Sequence, residues 1–302
     1  MELPVARSQR VNCNITYRLL ILVLLLISFP ITRSFAESDA SLGTTRVFQN
    51  HVVPMQLLLR QNETALPYKN EIGISQEEDW ISDLKEYWSF SSLYYYRHTC
   101  RGIFGARFNY ANKYFIGGEQ YVLEAYPYLT KDIYLAATFG LSNTSQQVFP
   151  KYQYLIEPYF NLGNGFEASA GQRFIRSFNV NIYTYTASIG KTIGSYFIWF
   201  RPYHYTPQSV DFFEAGIKRF FGDSTDTYIL LKAGIGKTPD IGDVPPLNQI
   251  TIISTNSVTI DGQFPIAKGI FLNVGAGYAR QVYPSGHVRE DTNGSVNVIW
   301  RF

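Results

Sequence analysis

The chain has 302 residues, 26 Lys and Arg against 24 Asp and Glu, and a formal net charge of +2. Only 17% of it is charged while 16% is aromatic, which excludes a disordered tail, and no basic run suits a nucleic-acid binder. Two Cys cannot build a disulfide framework or a cysteine-rich zinc module. Beyond the N-terminus no apolar run reaches the ~20 residues that a membrane helix needs.

Residues 1–36 read as an export signal. Arg7, Arg10 and Arg18 precede an apolar run from Leu19 to Ile31, and Ser34-Phe35-Ala36 offers a small-residue cleavage site. The run is short for a bilayer and carries Pro30, so removal after Ala36 is expected rather than anchorage. Residues 37–68 are polar and irregular, with Pro54 and Pro67, and read as a periplasmic lead-in.

From 69 to 302 the hydrophobic period is 2, the signature of strands with one apolar face. Tyr121, Leu123 and Ala125 oppose Gln120, Glu124 and Tyr126. Phe166, Ala168 and Ala170 oppose Glu167, Ser169 and Gly171, and Ile270, Leu272 and Val274 oppose Asn273 and Gly275. About fourteen such segments run from 70–77 to 291–302; twelve is the alternative if 70–77 and 86–96 do not both join the wall. The joins at 129–131, 162–164 and 190–193 are short, while 143–150, 237–247 and 282–290 are longer and polar. Short turns on one side and loops on the other predict an all-β, transmembrane antiparallel β-barrel of the outer-membrane type, both termini in the periplasm.

A soluble β-sandwich also alternates, but its outward face should be polar. Here the face expected outward carries aromatics, read as Trp88, Phe90, Tyr94 and Tyr96 on one strand and Tyr196, Ile198 and Phe200 on another. Aromatic girdles at both interfaces suit a lipid-facing wall, and closure leaves no backbone edge in hydrocarbon. The last strand places Val296, Val298, Trp300 and the terminal Phe302 on one face. That pattern is similar to the signal read by the barrel-assembly machinery, an expected partner during biogenesis alongside outer-membrane lipid.

Several segments stand in a familiar order: Phe108-Asn109-Tyr110-Ala111-Asn112-Lys113-Tyr114, then Leu123-Glu124-Ala125-Tyr126-Pro127-Tyr128-Leu129. Gly163-Asn164-Gly165-Phe166 leading to Gly171-Gln172-Arg173-Phe174 follows, then Ile182-Tyr183-Thr184 and Ile189-Gly190-Lys191. Phe200-Arg201-Pro202-Tyr203 and Lys218-Arg219-Phe220-Phe221-Gly222 close the set. Together they resemble the YaiO family of bacterial outer-membrane β-barrels, over roughly residues 70–302, with departures in the N-terminal segment and at 237–262. The resemblance implies residence in the bacterial cell outer membrane. Some members carry tetratricopeptide repeats before the barrel; residues 37–68 are too short for one 34-residue repeat, which implies the barrel-only form.

The parity that turns apolar residues toward lipid turns Arg107, Glu124, Glu157, Glu167, Arg173, Arg201, Glu214, Lys218 and Lys232 inward. A Lys or Arg facing lipid at mid-depth would cost about 2–4 kcal/mol, so the lumen is their place. There they either pair and fill the barrel or, beside Tyr126, Tyr159 and Tyr203, line a track for a hydroxylated, sugar-like solute. The four His are His51, His98, His204 and His287, and none lies in a nucleophile motif; Ser209 and Asp211 follow His204 across a turn with Pro207. No His, Asp or Glu pair has metal-ligand spacing, and Gly275-Ala276-Gly277 precedes no helix, so neither a metal nor a phosphate-bound cofactor is expected. The expected function is a small-solute or glycan pore or an accessory to envelope polysaccharide export; a non-conducting surface-interaction barrel is the alternative. An enzyme is not expected.

Overall fold

The computed structural model describes residues 68–113, 115–143, 148–177, 180–222, 224–241 and 250–302. The expected export signal and the lead-in up to residue 67 lie outside the described residues. Fourteen strands follow one another. They are β1 (Asn70–Ile81), β2 (Glu86–Thr99), β3 (Gly102–Lys113), β4 (Ile116–Pro127) and β5 (Ile133–Ser142). Next come β6 (Tyr152–Gly163), β7 (Phe166–Ser177), β8 (Val180–Ile193), β9 (Tyr196–Thr206) and β10 (Val210–Phe221). The last four are β11 (Ser224–Ile241), β12 (Ile250–Ala267), β13 (Ile270–Val282) and β14 (Val288–Arg301).

Each strand pairs antiparallel with its sequence neighbour, and β1 pairs with β14 to close the barrel. Closure is in register along the whole seam, from Glu71 opposite Arg301 to Ile81 opposite Asp291. Phe302 extends it: its N–H donates to Asn70 O at 3.0 Å, and its carbonyl accepts from Asn70 N at 2.8 Å. The end at which β1 begins and β14 finishes is periplasmic in this architecture. Its connections are tight because the sequence supplies left-handed residues there. Gly163, Asn164 and Gly165, with φ of 80°, 51° and 77°, turn β6 into β7 within four residues, a bend that would strain most side chains.

One face of the wall is apolar and exposed, as with Leu123, Ile156, Ile198, Ile260 and Val298. The other, directed into the barrel, holds nearly all the buried charges, among them Arg107, Glu157 and Arg201. Two sequence expectations change. On β2, Trp88 and Tyr94 are buried in the lumen with Phe90 and Tyr96 on their face, while Tyr87, Leu93 and Tyr95 point outward. Both parities of that strand are aromatic, so alternation alone does not choose a face. Two outer loops are also shorter than expected, since β11 continues to Ile241 and β14 begins at Val288, and on the periplasmic side β2 takes in His98.

Candidate functional site: the barrel lumen

The lumen of β3–β10 is interlocked. Arg107 on β3 donates from Nε to Glu124 Oε1 on β4 at 2.9 Å, and from Nη2 to the Tyr96 hydroxyl at 2.6 Å. Glu124 Oε2 accepts from Tyr96 at 2.8 Å and Tyr126 at 2.6 Å, so this carboxylate has partners on both oxygens. A second unit joins β6 and β9, three strands apart. Arg201 Nη1 donates to Glu157 Oε2 at 3.2 Å, while Nη2 lies 3.1 Å from Oε1 and 2.8 Å from the Tyr159 hydroxyl. Ser169 on β7 donates to Glu157 and meets Ser188 at 2.6 Å. A fork-shaped guanidinium matched to a carboxylate by two nitrogens is the geometry in which a buried pair holds best.

The remaining inward charges behave differently. Arg173 lies over the Tyr203 ring at 5.3 Å, and Lys218 over the Tyr228 ring at 3.6 Å, both cation–π contacts. Glu167 and Glu214 are buried, and one oxygen of each makes no hydrogen bond among the described residues. Lys232 is buried on β11, between Gly216 of β10 and Thr259 of β12. The structure therefore brings together Arg107 with Glu124 and Glu157 with Arg201, and leaves the other five outside those two units.

Sequence reading set Tyr126, Tyr159 and Tyr203 beside the charges but missed the packed layers that they form with other side chains. Ile103, Tyr126, Tyr134, Ala136 and Tyr159 form one cluster, with Tyr134 and Tyr159 stacked at 4.7 Å. Val180, Ile182, Tyr203, Tyr205 and Phe212 form another at the outer end. Several inner rings lie flat over a glycine of the next strand: Trp199 over Gly216 and Tyr94 over Gly73, where an added Cβ would collide with the ring. The usable signal is a glycine paired near an aromatic of the same parity on the adjacent strand. Also missed was the β5–β6 connection. Its Val148 and Phe149 are fully buried, tucked into the barrel mouth against Ala111, with Phe90 and Ile116 alongside.

The opposite wall is open. At mid-height on β1 and β12–β14 many lumen-facing side chains are small and polar, with Ser75, Ser257, Thr259, Gly275, Gly277 and Ser295 retaining partial exposure, while Asp261 stands among them and Arg301 pairs with Glu71 and Asp226 at the periplasmic end. Asn293 donates to Glu77 at 2.9 Å and Asn297 to Tyr94 at 3.2 Å. The lumen is thus packed along one side and polar and accessible along the other. His204 and Asp211 meet at 2.8 Å on the outward face of the outer rim, away from this space. Among the described residues no cluster of three His, Cys, Asp or Glu could hold a metal ion.

A closed fourteen-stranded wall, apolar outside and charged within, defines a bacterial outer-membrane β-barrel. The chain belongs to the YaiO family: the YaiO membrane beta barrel domain matches residues 69–241, more than half of it. Strands β12–β14 complete the barrel beyond that match. No curated protein matches in sequence. Among solved structures, a bacterial polysaccharide outer membrane secretin superposes with TM-score 0.48 at 9% identity, covering 79% of this chain and all of that one. Acinetobacter baumannii outer membrane protein Omp33 gives 0.46 at 12% identity, covering 78% and 98%. A KdgM porin gives 0.41 at 11%, covering 76% and 99%.

Proposed function

We propose that this barrel is a narrow passive pore for small polar solutes, sugar-like ones included, with its passage running along the β12–β14 wall. The supporting observation is the asymmetry of the lumen. Serines, threonines, asparagines and glycines keep exposure at mid-height on that wall, whereas aromatics and the Arg107–Glu124 and Glu157–Arg201 pairs crowd the lumen of β3–β10. Hydroxyl and amide groups can exchange hydrogen bonds with a hydroxylated solute, and their small size leaves room for it. The nine inward charges then divide the work: the two ion-pair units stiffen the packed side, and Lys218 and Lys232 stand nearest the passage. The His204–Asp211 pair lies on the outward face of the rim, away from this passage, and takes no part in the proposed role.

The tucked Val148–Phe149 segment favours a second reading, a barrel whose mouth is closed and whose outer loops meet a partner. Single-channel conductance of the refolded mature protein in a planar bilayer separates the two. Discrete openings are expected, reduced severalfold by Ser295→Trp on the open wall and enlarged by Phe149→Ala. A silent wild type whose folding is verified on the same sample overturns the pore and leaves the surface reading. Openings indifferent to Ser295→Trp would move the passage away from β12–β14.

A further inference from the structure

The outer wall is not uniformly apolar. On β5 the outward positions are Ile133, Leu135, Ala137, Phe139 and Leu141, apolar from end to end. On β1 they read Ile72, Ile74, Gln76, Glu78 and Trp80, and on β2 Tyr87, Ser89, Ser91, Leu93 and Tyr95. Pairing places Gln76 opposite Ser91 and Glu78 opposite Ser89, so four polar side chains adjoin on the lipid side. Three of them are hydrogen-bonded in a chain: Ser91 donates to Gln76 Oε1, and Gln76 Nε2 donates to Glu78 Oε1 at 2.7 Å.

Aromatics bracket this notch. Trp80 and Tyr87 sit beyond it with rings 4.6 Å apart, and Tyr95 and Trp300 lie on its periplasmic side. At ~2.5 Å of height per tilted residue, Gln76 stands ~10 Å and Glu78 ~15 Å above Ile72, inside an apolar band ~25 Å tall. Acyl chains cannot satisfy these groups, so a bare notch would be unfavourable. The seam beside it is smooth, since Gly294 pairs with Glu78 and with Ala276, and a Cβ on Gly294 would touch nothing.

We infer that the β14–β1–β2 outer face is the surface through which two copies of this chain pair within the membrane. The occupant follows from the chemistry of the notch. An amide and two hydroxyls both donate and accept, so across a two-fold axis the donors of one copy can meet the Glu78 carboxylate of the other, and the patch is complementary to itself. Glycine and alanine on β14 and β13 let the two walls approach closely, as small residues do between membrane segments.

The test is photo-crosslinking of the full chain in native outer membranes, with the photoreactive residue at Ser91 and, as control, at Leu135. A two-copy adduct at position 91 and none at 135 is expected. A Gln76→Leu, Glu78→Leu, Ser91→Val variant should lose that two-copy state at least tenfold in mild detergent, while keeping the gel shift of a folded barrel on boiling. Three results overturn the inference: no adduct from folded protein, an adduct of another mass, or a variant that pairs as the wild type does.

Discussion

At the residue scale, the stability of the packed half rests on charges that cannot be removed singly. Arg201 is almost wholly buried, and Glu157 meets two of its nitrogens. Glu157→Ala leaves that guanidinium without its counter-charge, at a cost of about 3–5 kcal/mol. Replacing both, Glu157→Leu with Arg201→Met, should recover most of the loss, because the desolvation of both ions disappears together. Urea unfolding of the refolded barrel measures both variants, and a double variant no better than the single one would assign the pair no coupling. Period-two alternation is enough to turn these residues inward, but not to find their partners. Glu157 and Arg201 are 44 positions apart and meet over the inner face of β7 and β8, an approach set by the curvature of the closed wall.

At the scale of elements, the seam is tied at its outer end by two connections. Asp83, between β1 and β2, accepts from Arg289 Nε at 2.9 Å and lies 2.9 Å from His287 Nε2, beside the β13–β14 connection. Burial pushes the Asp83 carboxyl up, but the hydrogen bonds from His287 and Arg289 outweigh it, and its pKa falls below the ordinary value. A depressed carboxyl pKa adds stability at neutral pH. That stability is lost as pH falls from about 4, the unfolded value, through the folded one. The midpoint difference between wild type and Asp83→Asn in thermal unfolding should therefore shrink as pH falls below about 4. The same element scale explains the reversed face of β2. Trp88 and Tyr94 are as hydrophobic as an outer wall needs, yet Tyr94 covers Gly73 and Lys113 packs over the Trp88 and Phe90 rings, contacts that exist only between strands.

At the scale of the molecule, closure joins the first strand to the last, and Phe302 completes it with backbone hydrogen bonds to Asn70 and Lys69. We propose that Val296, Val298, Trp300 and Phe302 also form the face that the assembly machinery reads. Deleting Phe302 should lower the amount of barrel in the outer membrane, measured as the fraction whose gel migration changes on boiling. Normal insertion without it would remove the assembly role. What the sequence by itself determined is the wall: about fourteen strands with twelve left open, their approximate limits and the outer-membrane plan, together with a parity that points charged residues such as Arg107, Glu157 and Arg201 away from lipid. Those follow from a period of two and from turn residues, which act over neighbouring positions. Only the tertiary structure decided which charges pair, that Val148 and Phe149 fold into the mouth, that one side of the lumen stays open, and that the β1–β2 notch faces outward. Contacts such as Arg107 with Glu124 need the register of neighbouring strands, and those such as Glu157 with Arg201 need the curvature of the closed wall, neither of which local periodicity specifies.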